Sequence, residues 1–327
     1  MNSRKQVFRA GIDLGGTKIT VSVLDRNYKP LATAQARNVS EEGRAYLLET
    51  TTGLLDRALA ECGLETKDLA STGIACPGVV NEDLTTVIGS PTLPFLSGYA
   101  LASQIGKRTG VPTIVANDVN MGLYGEHQFG AARGLRHAVG IFLETGIGGA
   151  LILDGKLYCG AFGAAGEFGH IFMNDMSPRC GCGNYGCLEA LASRTAISAE
   201  AATLAARGEA PALLNLSGGD VRRITSKVLK LAIDQGDAAI AALIRRKTDL
   251  IGIALGSVIN IIDPQAVIVG GKMVEVMPEL VLEPITASIN RFTYCATFKR
   301  KVKLLKASLG TSATMLGAAK MSEEKFR

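Results

Sequence analysis

The feature that most restricts the fold of this chain is a pattern that occurs twice along it. In each copy, strand-like runs of β-branched and small residues flank a glycine-rich turn, and helices and strands then alternate. The first turn is Gly15-Gly16 and the second spans 145–149. The flanking runs are 7–12, 19–24, 138–144 and 150–153. The repetition predicts a duplicated α/β fold, with one glycine turn from each half on facing sides of a cleft.

Hydrophobic periodicity predicts the remaining elements. Apolar residues at helical spacing predict helices at 41–62, 99–108, 188–207, 221–235, 238–262 and 310–320. Short apolar runs bounded by turn residues predict further strands at 31–37, 71–76, 112–116 and 267–269. Helices therefore alternate with strands through both halves, as the duplicated fold requires.

Composition limits the possible functions. Of the 327 residues, 47% are apolar, which is enough for a sizeable core and excludes intrinsic disorder. The net charge of +5 is spread along the chain, so no nucleic-acid partner is expected. One basic run, 299–303, predicts a charged strand at a sheet edge. No apolar run is long enough to span a membrane and no signal core follows Met1, so we expect a cytoplasmic protein.

The first glycine turn has residues suited to a complex of Mg²⁺ and polyphosphate. Asp13 can bind the metal, and the ammonium group of Lys18 can offset phosphate charge. The backbone of Gly15 and Gly16 and the hydroxyl of Thr17 can bind phosphate oxygens. A glycine hairpin alone is more often a structural turn than a phosphate site. A second such turn at the matching position of the other half favours a nucleotide ligand.

The pair Asn117-Asp118 follows a predicted buried strand. Polar side chains at the carboxyl end of such a strand lie at the ligand crevice of an open α/β sheet. There a carboxylate can accept a proton from an attacking hydroxyl, while the neighbouring amide orients that hydroxyl. Aspartate is also a common N-cap, and a helix starting near Val119 would use it in that way. Both interpretations stay open from the spacing alone.

One histidine and three cysteines crowd into a glycine-rich segment, and they are His170, Cys180, Cys182 and Cys187. An imidazole and three thiolates form a closed tetrahedral zinc set, which is structural because it leaves no position for water. Buried free cysteines beside a core histidine are the alternative. If zinc binds, Glu167 and Glu189 lie on a rigid loop, as a precise binding site requires.

These motifs occur in the order typical of the ROK family of repressors and sugar kinases, which the chain resembles from residue 10 to residue 319. The matching segments are 13–18, 76–78, 117–118, 145–149, 166–170 and 180–189. The resemblance implies an actin-like ATPase (ribonuclease H-like) fold, with two α/β lobes around a nucleotide and sugar cleft. The small lobe would comprise residues 1–117 and the C-terminal helix 311–327, and the large lobe residues 118–310 with a zinc-stabilised loop. It also implies a homodimer or dimer-based oligomer.

The resemblance further implies the role of each site residue. ROK kinases transfer the γ-phosphoryl group of Mg·ATP to a sugar hydroxyl, and Asp118 would be the catalytic base. The sugar would be bound by Gly78, Asn117, Asp118, Glu167, His170 and Glu189, with His170 also a zinc ligand. ATP and its Mg²⁺ would be bound by Asp13, Gly15, Gly16, Thr17, Lys18, Thr145, Gly146, Gly270 and Gly271.

One residue departs from the family pattern. The family usually has glycine immediately before the Thr-Gly-x-Gly turn, and this chain has Glu144 there. A carboxylate close to polyphosphate repels it, unless it faces away or a cation compensates. Nucleotide affinity and the identity of the phosphoryl donor therefore stay open.

The leading hypothesis is a kinase that phosphorylates the 6-hydroxyl of glucose. Fructose, mannose, allose, N-acetylglucosamine and N-acetylmannosamine are alternative substrates, because their kinases share these motifs. A ROK repressor would have a DNA-binding helix-turn-helix before the sugar domain, and few residues precede Asp13, so that hypothesis is disfavoured. A sugar-binding pseudokinase is a further alternative, for which Glu144 is the only support.

Overall fold

The structure is a computed structural model that describes residues 7–38, 42–174, 178–299 and 301–327. In the first part of the chain the elements are β1 (Phe8–Leu14), β2 (Lys18–Leu24), β3 (Pro30–Arg37), α1 (Gly43–Glu61), β4 (Leu69–Cys76), β5 (Val79–Val80), β6 (Val87–Gly89), α2 (Leu101–Thr109), β7 (Thr113–Asn117) and α3 (Asp118–Phe129). In the second part they are β8 (Ala138–Leu143), β9 (Ile147–Leu153), β10 (Lys156–Leu157), α4 (Leu188–Ala192), α5 (Arg194–Ala206), α6 (Pro211–Ser217), α7 (Ser226–Asp234), α8 (Ala238–Ile262), β11 (Ala266–Gly270), α9 (Lys272–Val276), α10 (Pro278–Phe292), β12 (Lys303–Lys306) and α11 (Ser312–Lys325).

The described residues form two compact units. Unit 1 takes its residues from Met1–Gly134, Leu157–Ala165 and Thr311–Arg327, and unit 2 takes its residues from Leu135–Lys156 and Gly166–Gly310. The sequence places the boundary between lobes after residue 117, whereas the contacts place it after Gly134. The reason is that α3 packs against α11 and therefore belongs to unit 1.

The sheet of unit 1 has the strand order β3-β2-β1-β4-β7. The first three strands pair antiparallel, while β4 pairs parallel to both β1 and β7. Parallel pairing brings the carboxyl ends of β1, β4 and β7 to one end of the sheet. Asp13 lies opposite Ala75, and Cys76 lies opposite Asn117. Asp13 and the pair 117–118 therefore share this end of the sheet.

Helix α11 packs on the sheet of unit 1 because glycines allow the backbones to approach. A Cβ atom on Gly11 would lie 2.2 Å from the carbonyl oxygen of Met315, and one on Gly73 would lie 1.9 Å from that of Ala318. A Cβ atom on Gly317 would lie 2.0 Å from a carbonyl oxygen of α3. A side chain at any of these glycines would force α11 away, since packed interiors have no space for the extra atoms.

Polar contacts to Glu323 also hold α11 to β1. Arg9 lies 2.5 Å and Lys320 lies 3.1 Å from the Glu323 carboxylate, and the hydroxyl of Tyr28 donates to it. Burial acts to raise the pKa of Glu323, but the Tyr28 hydroxyl and the two cations outweigh burial and lower the pKa to about 2. The helix is therefore held by a charged carboxylate as well as by close packing.

The sheet of unit 2 has the order β10-β9-β8-β11-β12. Strands β8 and β9 form an antiparallel hairpin, and β11 pairs parallel to both β8 and β12. This is the order of the unit 1 sheet, with the hairpin followed by two parallel strands. Strand β11 is buried along its whole length. The mixed α/β fold expected from the repeated pattern is thus confirmed, and each unit builds its own sheet and core.

Several predicted elements differ in detail from the structure. The predicted helix 188–207 is broken at Ser193, whose extended backbone ends α4 and whose hydroxyl caps α5 by accepting from the Ala196 N–H. The predicted helix 221–235 begins as α7 only at Ser226, after a short 3₁₀ turn. The strand predicted from the basic run begins only at Lys303, because Lys299 has a left-handed backbone; Arg300 lies outside the described residues.

Helices α9 and α10 are not predicted by the sequence pattern. Pro278 begins α10 and Pro284 lies inside it, so two prolines interrupt the periodicity by which a helix is recognised. Strand β12 lies at the sheet edge, as expected for the basic run. Within the described residues, no helix has the length and apolar character needed to cross a membrane.

Candidate functional site

The first glycine turn joins β1 to β2 and is bound by Asn38. The N–H of Gly15 donates to the carbonyl of Lys18 at 2.9 Å and closes the turn. The backbone N–H of Asn38 donates to the carbonyl of Thr17 at 2.9 Å, and its side-chain amide donates to the carbonyl of Gly15 at 2.8 Å. Thr17 and Lys18 are exposed. The carbonyls of Gly15, Thr17 and Lys18 are therefore bound within unit 1, while two side chains predicted to contact phosphate reach the surface.

Asn117 and Asp118 lie where β7 ends and α3 begins. The side-chain oxygen of Asn117 caps α3 by accepting from the Asn120 N–H at 2.9 Å, and its amide donates to the Gly78 carbonyl at 3.0 Å. Asp118 is half-buried, and its Oδ1 accepts from the Val119 N–H at 2.9 Å. Since Asn117 is the N-cap, Asp118 occupies the first turn of the helix and is not needed as the cap.

The loop after β4 contains Cys76 and Gly78. Gly78 has a φ of 111°, and a Cβ atom there would lie 2.2 Å from the carbonyl oxygen of Gly89, so only glycine fits. Burial raises the pKa of the Cys76 thiol far above its usual range, and the charges of Asp118 and Asp13 raise it further. Both carboxylates lie at the end of the sheet where β1 and β7 end.

The second glycine turn joins β8 to β9 and is bound by the start of α5. The N–H of Glu144 donates to the carbonyl of Gly146 at 3.0 Å and closes the turn. The carbonyl of Thr145 accepts from the N–H of Thr195 at 3.3 Å and from its hydroxyl at 2.8 Å. The guanidinium group of Arg194 donates to the Thr145 hydroxyl at 3.1 Å. In this unit a cation reaches the hydroxyl that is predicted to contact phosphate.

The carboxylate of Glu144 binds the start of α9. Its Oε1 accepts from the backbone N–H of Lys272 at 2.9 Å. Partial burial of the carboxylate raises its pKa, although the residue as a whole is exposed. The N–H of Lys272 opposes this rise, the charge of Glu275 adds to it, and the cations of Arg194 and Lys272 lower the pKa again. The repulsion expected between Glu144 and a polyphosphate is therefore opposed by one backbone donor and two cations.

Gly270-Gly271 lies beside the second turn. The pair ends β11 and precedes α9, and Gly271 has a φ of 98°. A Cβ atom on Gly271 would lie 2.4 Å from the carbonyl oxygen of Leu143, the residue before Glu144. The two segments of unit 2 that are predicted to bind ATP are thus adjacent.

Glu189 joins the second turn to the cysteine-rich segment. Its Oε2 accepts from the Ile147 N–H at 2.9 Å, and a Cβ atom on Gly146 would lie 2.2 Å from the same oxygen. Its Oε1 lies 3.8 Å from the Sγ of Cys180. A residue predicted to bind sugar therefore contacts both the predicted phosphate turn and a predicted zinc ligand.

Glu167 and His170 lie next to Glu189. The Nε2 of His170 lies 4.0 Å from Oε2 of Glu167, and the Nδ1 of the same ring lies 3.7 Å from the Sγ of Cys180. Burial raises the pKa of Glu167, the neighbouring His170 lowers it, and the charge of Glu189 raises it. The three side chains of unit 2 that are predicted to bind sugar are therefore neighbours.

The four predicted zinc ligands form one cluster, and they are His170, Cys180, Cys182 and Cys187. Their ligand atoms all lie within 4.8 Å of one another, and the Sγ atoms of Cys182 and Cys187 are 3.6 Å apart. Tetrahedral bonds of about 2.3 Å to zinc would place two sulfur atoms about 3.8 Å apart. The cysteines are free thiols, too far apart for a disulfide. The donor set and its spacing therefore fit a structural zinc ion.

A model of the ROK family matches residues 9–325. The chain belongs to the ROK family. Over 319 residues it is 33% identical to a glucokinase of Streptomyces coelicolor, covering 96% of this chain and 97% of that protein. A ROK family glucokinase of Streptomyces griseus in complex with glucose and AMPPNP has a TM-score of 0.86 at 32% identity, covering 97% and 99% of the two chains. A xylose repressor of Caldicellulosiruptor bescii is 28% identical and covers 95% of this chain and 77% of the repressor.

The ROK motifs do not include several residues that hold the two turns. Asn38 follows β3, Arg194 and Thr195 begin α5, and Lys272 begins α9. Each reaches its turn only because folding brings a distant element beside it. For Arg194 and Thr195 the sequence does contain a local signal. Ser193 is a typical N-cap residue and indicates that a helix starts at Arg194.

Proposed function

We propose that this ROK protein transfers the γ-phosphoryl group of Mg·ATP to a hexose hydroxyl, with the 6-hydroxyl of glucose as the first choice. One observation carries the proposal: Asp13, the first glycine turn and Asp118 share one end of the unit 1 sheet. A phosphate-binding turn and two carboxylates are the parts that phosphoryl transfer to an alcohol requires. The likeness to two glucokinases supports the same reaction.

Asp118 would accept the proton of the attacking sugar hydroxyl. The Val119 N–H binds its Oδ1 and fixes the carboxylate at the start of α3. A loose transition state requires positioning and charge neutralisation more than a strong base, so an ordinary carboxylate suffices. Asn117, held by the Gly78 carbonyl and the Asn120 N–H, would orient the same hydroxyl.

The two glycine turns would bind the phosphates of ATP. In unit 1, Thr17 and Lys18 are exposed and would contact phosphate oxygens, and Asp13 would bind the Mg²⁺ that accompanies ATP. When bound, that ion neutralises part of the phosphate charge. In unit 2, Thr145 would contact phosphate, with the guanidinium group of Arg194 beside its hydroxyl.

Glu167, His170 and Glu189 would bind the sugar. Two carboxylates and an imidazole can form several hydrogen bonds to a polyhydroxyl ligand. A site of this kind rejects a wrong epimer by up to about 10⁴-fold, because the mismatched sugar leaves a buried polar group unpaired. Zinc on the four clustered ligands would fix the loop that holds these side chains.

The alternative is a protein that binds sugar without transferring phosphate, and the likeness to a xylose repressor favours it as the second candidate. The decisive experiment measures ADP release from Mg·ATP across glucose, fructose, mannose, allose, N-acetylglucosamine and N-acetylmannosamine. The Asp118→Asn variant is the control. Turnover with one sugar that the control abolishes would establish the kinase and its substrate. Absence of turnover with every sugar, while one sugar raises the melting temperature, would favour the binding protein.

A further inference from the structure

The residues assigned so far to ATP do not include the one that holds the first glycine turn. We propose that Asn38 is a positioning residue for the phosphoryl donor. It binds the carbonyl groups of the turn and so directs the N–H groups of the turn to phosphate. The proposal rests on the proposed kinase function and extends it to a residue outside every sequence motif.

Two hydrogen bonds carry the proposal. The side-chain amide of Asn38 donates to the Gly15 carbonyl at 2.8 Å, and its backbone N–H donates to the Thr17 carbonyl at 2.9 Å. The residue is only 5% exposed, so its side chain has one defined position. Among the described residues, no backbone carbonyl accepts from the N–H of Gly16 or Thr17.

The chemistry of a phosphate ligand explains why such a residue is needed. A tight turn presents both carbonyl oxygens and N–H groups. The N–H groups attract a polyphosphate, and the carbonyl oxygens repel it. Binding the carbonyls of Gly15 and Thr17 elsewhere fixes the turn in the conformation that presents its N–H groups. The turn is then already ordered in the folded protein, so nucleotide binding does not lose the conformational entropy of ordering it.

The second glycine turn shows the same arrangement with different residues. There the carbonyl of Thr145 accepts from the N–H and the hydroxyl of Thr195, and the carbonyl of Glu144 accepts from the N–H of Arg194 at 3.3 Å. Pairing of β2 with β3 places the Asn38 backbone N–H at Thr17, but it does not explain why a side chain also binds a turn carbonyl in each unit. A common phosphate ligand does explain it.

The test compares Asn38→Leu with wild type in steady-state assays and in calorimetric binding of Mg·AMPPNP. Leucine keeps the approximate shape of asparagine and removes the amide donor. Loss of one such bond is expected to raise both the KM for ATP and the dissociation constant for Mg·AMPPNP about tenfold. The KM for sugar is expected to stay within twofold of wild type and kcat within threefold. Asn38→Ser, whose side chain is too short to reach Gly15, carries the same prediction if the leucine variant does not fold.

Asn260→Leu is the matched control. In unit 2 the side chain of Asn260 also binds two backbone groups, donating to the Phe292 carbonyl at 3.1 Å and accepting from the Tyr294 N–H at 2.7 Å. It differs from Asn38 in being exposed and in accepting one of its two bonds. Its loss is expected to lower the melting temperature without changing nucleotide affinity.

Two outcomes would overturn the role of Asn38. One is a lower melting temperature with unchanged nucleotide affinity, which would mean that Asn38 is only structural. The other is an equal loss of affinity in the Asn260 variant. If wild type binds Mg·AMPPNP but releases no ADP with any sugar, the proposed function fails, and the binding constants still decide the role of Asn38. If wild type binds no nucleotide, both proposals fail.

Discussion

The two glycine turns have the same strand connections but are held by different chemistry. In unit 1 the neutral amide of Asn38 binds the turn. In unit 2 the hydroxyl of Thr195 binds the turn, the cation of Arg194 lies at its threonine, and the carboxylate of Glu144 binds the N–H of Lys272. The repeated topology therefore determines where each turn lies, while local residues determine its charge. Changes at Asp118 in unit 1 should therefore affect proton transfer, and changes at Asn38 should affect donor affinity at every pH. Changes at Glu144 in unit 2 should affect donor affinity as a function of pH.

The largest effect is expected at Asp118, in the unit whose turn is held by the neutral amide of Asn38. Asp118→Asn keeps the shape of the side chain but removes the proton acceptor, so kcat should fall about 10³-fold. ADP release at saturating ATP and sugar measures this fall. Sugar should still raise the melting temperature of the variant. Asp25→Asn, in the exposed turn between β2 and β3, should leave kcat unchanged. A fall of less than tenfold at Asp118 would mean that another group is the base.

The next effect tests whether the sugar-binding loop of unit 2 depends on zinc. Wild type should contain about one zinc per chain by elemental analysis. Cys187→Ser should lose zinc and raise the KM for sugar at least tenfold, because the cluster fixes His170 and Glu189. Cys62→Ser, which lies outside the cluster, should do neither. Wild-type protein with far less than one zinc per chain would contradict the assignment.

A smaller effect is expected on the stability of unit 1. Glu323→Gln removes the carboxylate that binds Arg9 and Tyr28, and should lower the free energy of unfolding by roughly 1–3 kcal/mol at neutral pH. The pKa of Glu323 is lowered from 4.5 to about 2 in the folded state. Its contribution is therefore present above pH 4.5 and is lost as the pH falls towards 2.

Denaturant unfolding from pH 7 to pH 2 measures this contribution. The difference between wild type and Glu323→Gln should shrink as the pH falls through that range. Glu279→Gln, at an exposed position on α10 of unit 2, is the control and should show no such pH-dependent difference. A constant difference at every pH would mean that the charge of Glu323 does not stabilise α11.

The smallest effect is expected at Glu144, and it tests the charge of the second turn directly. Glu144→Gln removes the charge but keeps an oxygen for the Lys272 N–H, so the KM for ATP should fall about threefold above neutral pH. The raised pKa of Glu144 means that acidification neutralises it sooner than an ordinary glutamate. The two KM values should therefore converge as the pH falls. A ratio of one at every pH would show that the carboxylate does not affect the nucleotide.

The sequence predicted those parts of the molecule whose signal is local. Both hairpins follow from strand runs beside a glycine turn, and the cysteine cluster follows from ligand spacing within one segment. The break at Ser193 has a local signal too, but the uninterrupted apolar pattern around it favoured one long helix. Helix α10 was missed because Pro278 and Pro284 resemble helix breakers.

The contacts that determine the properties of the turns could not be predicted from the sequence. Asn38 is an ordinary polar residue after a strand until β2 and β3 pair and bring it to Gly15. Glu144 suggested repulsion of phosphate, because its partner Lys272 is 128 residues away in the chain. Such contacts depend on the register of whole elements, and no local propensity encodes them.

The packing of α11 on β1 and β4 has a consequence for synthesis on the ribosome. Helix α11 packs directly on Gly11 and Gly73, where the sheet has no side chains, and all of unit 2 is translated before that helix. At roughly 5–20 residues per second, synthesis from Gly134 to the start of α11 takes from about nine to about thirty-six seconds. During this time the first sheet lacks the helix that packs on Gly11 and Gly73, whereas unit 2 already contains all of its own residues. The half of the chain that is made first is therefore the half that completes its folding last.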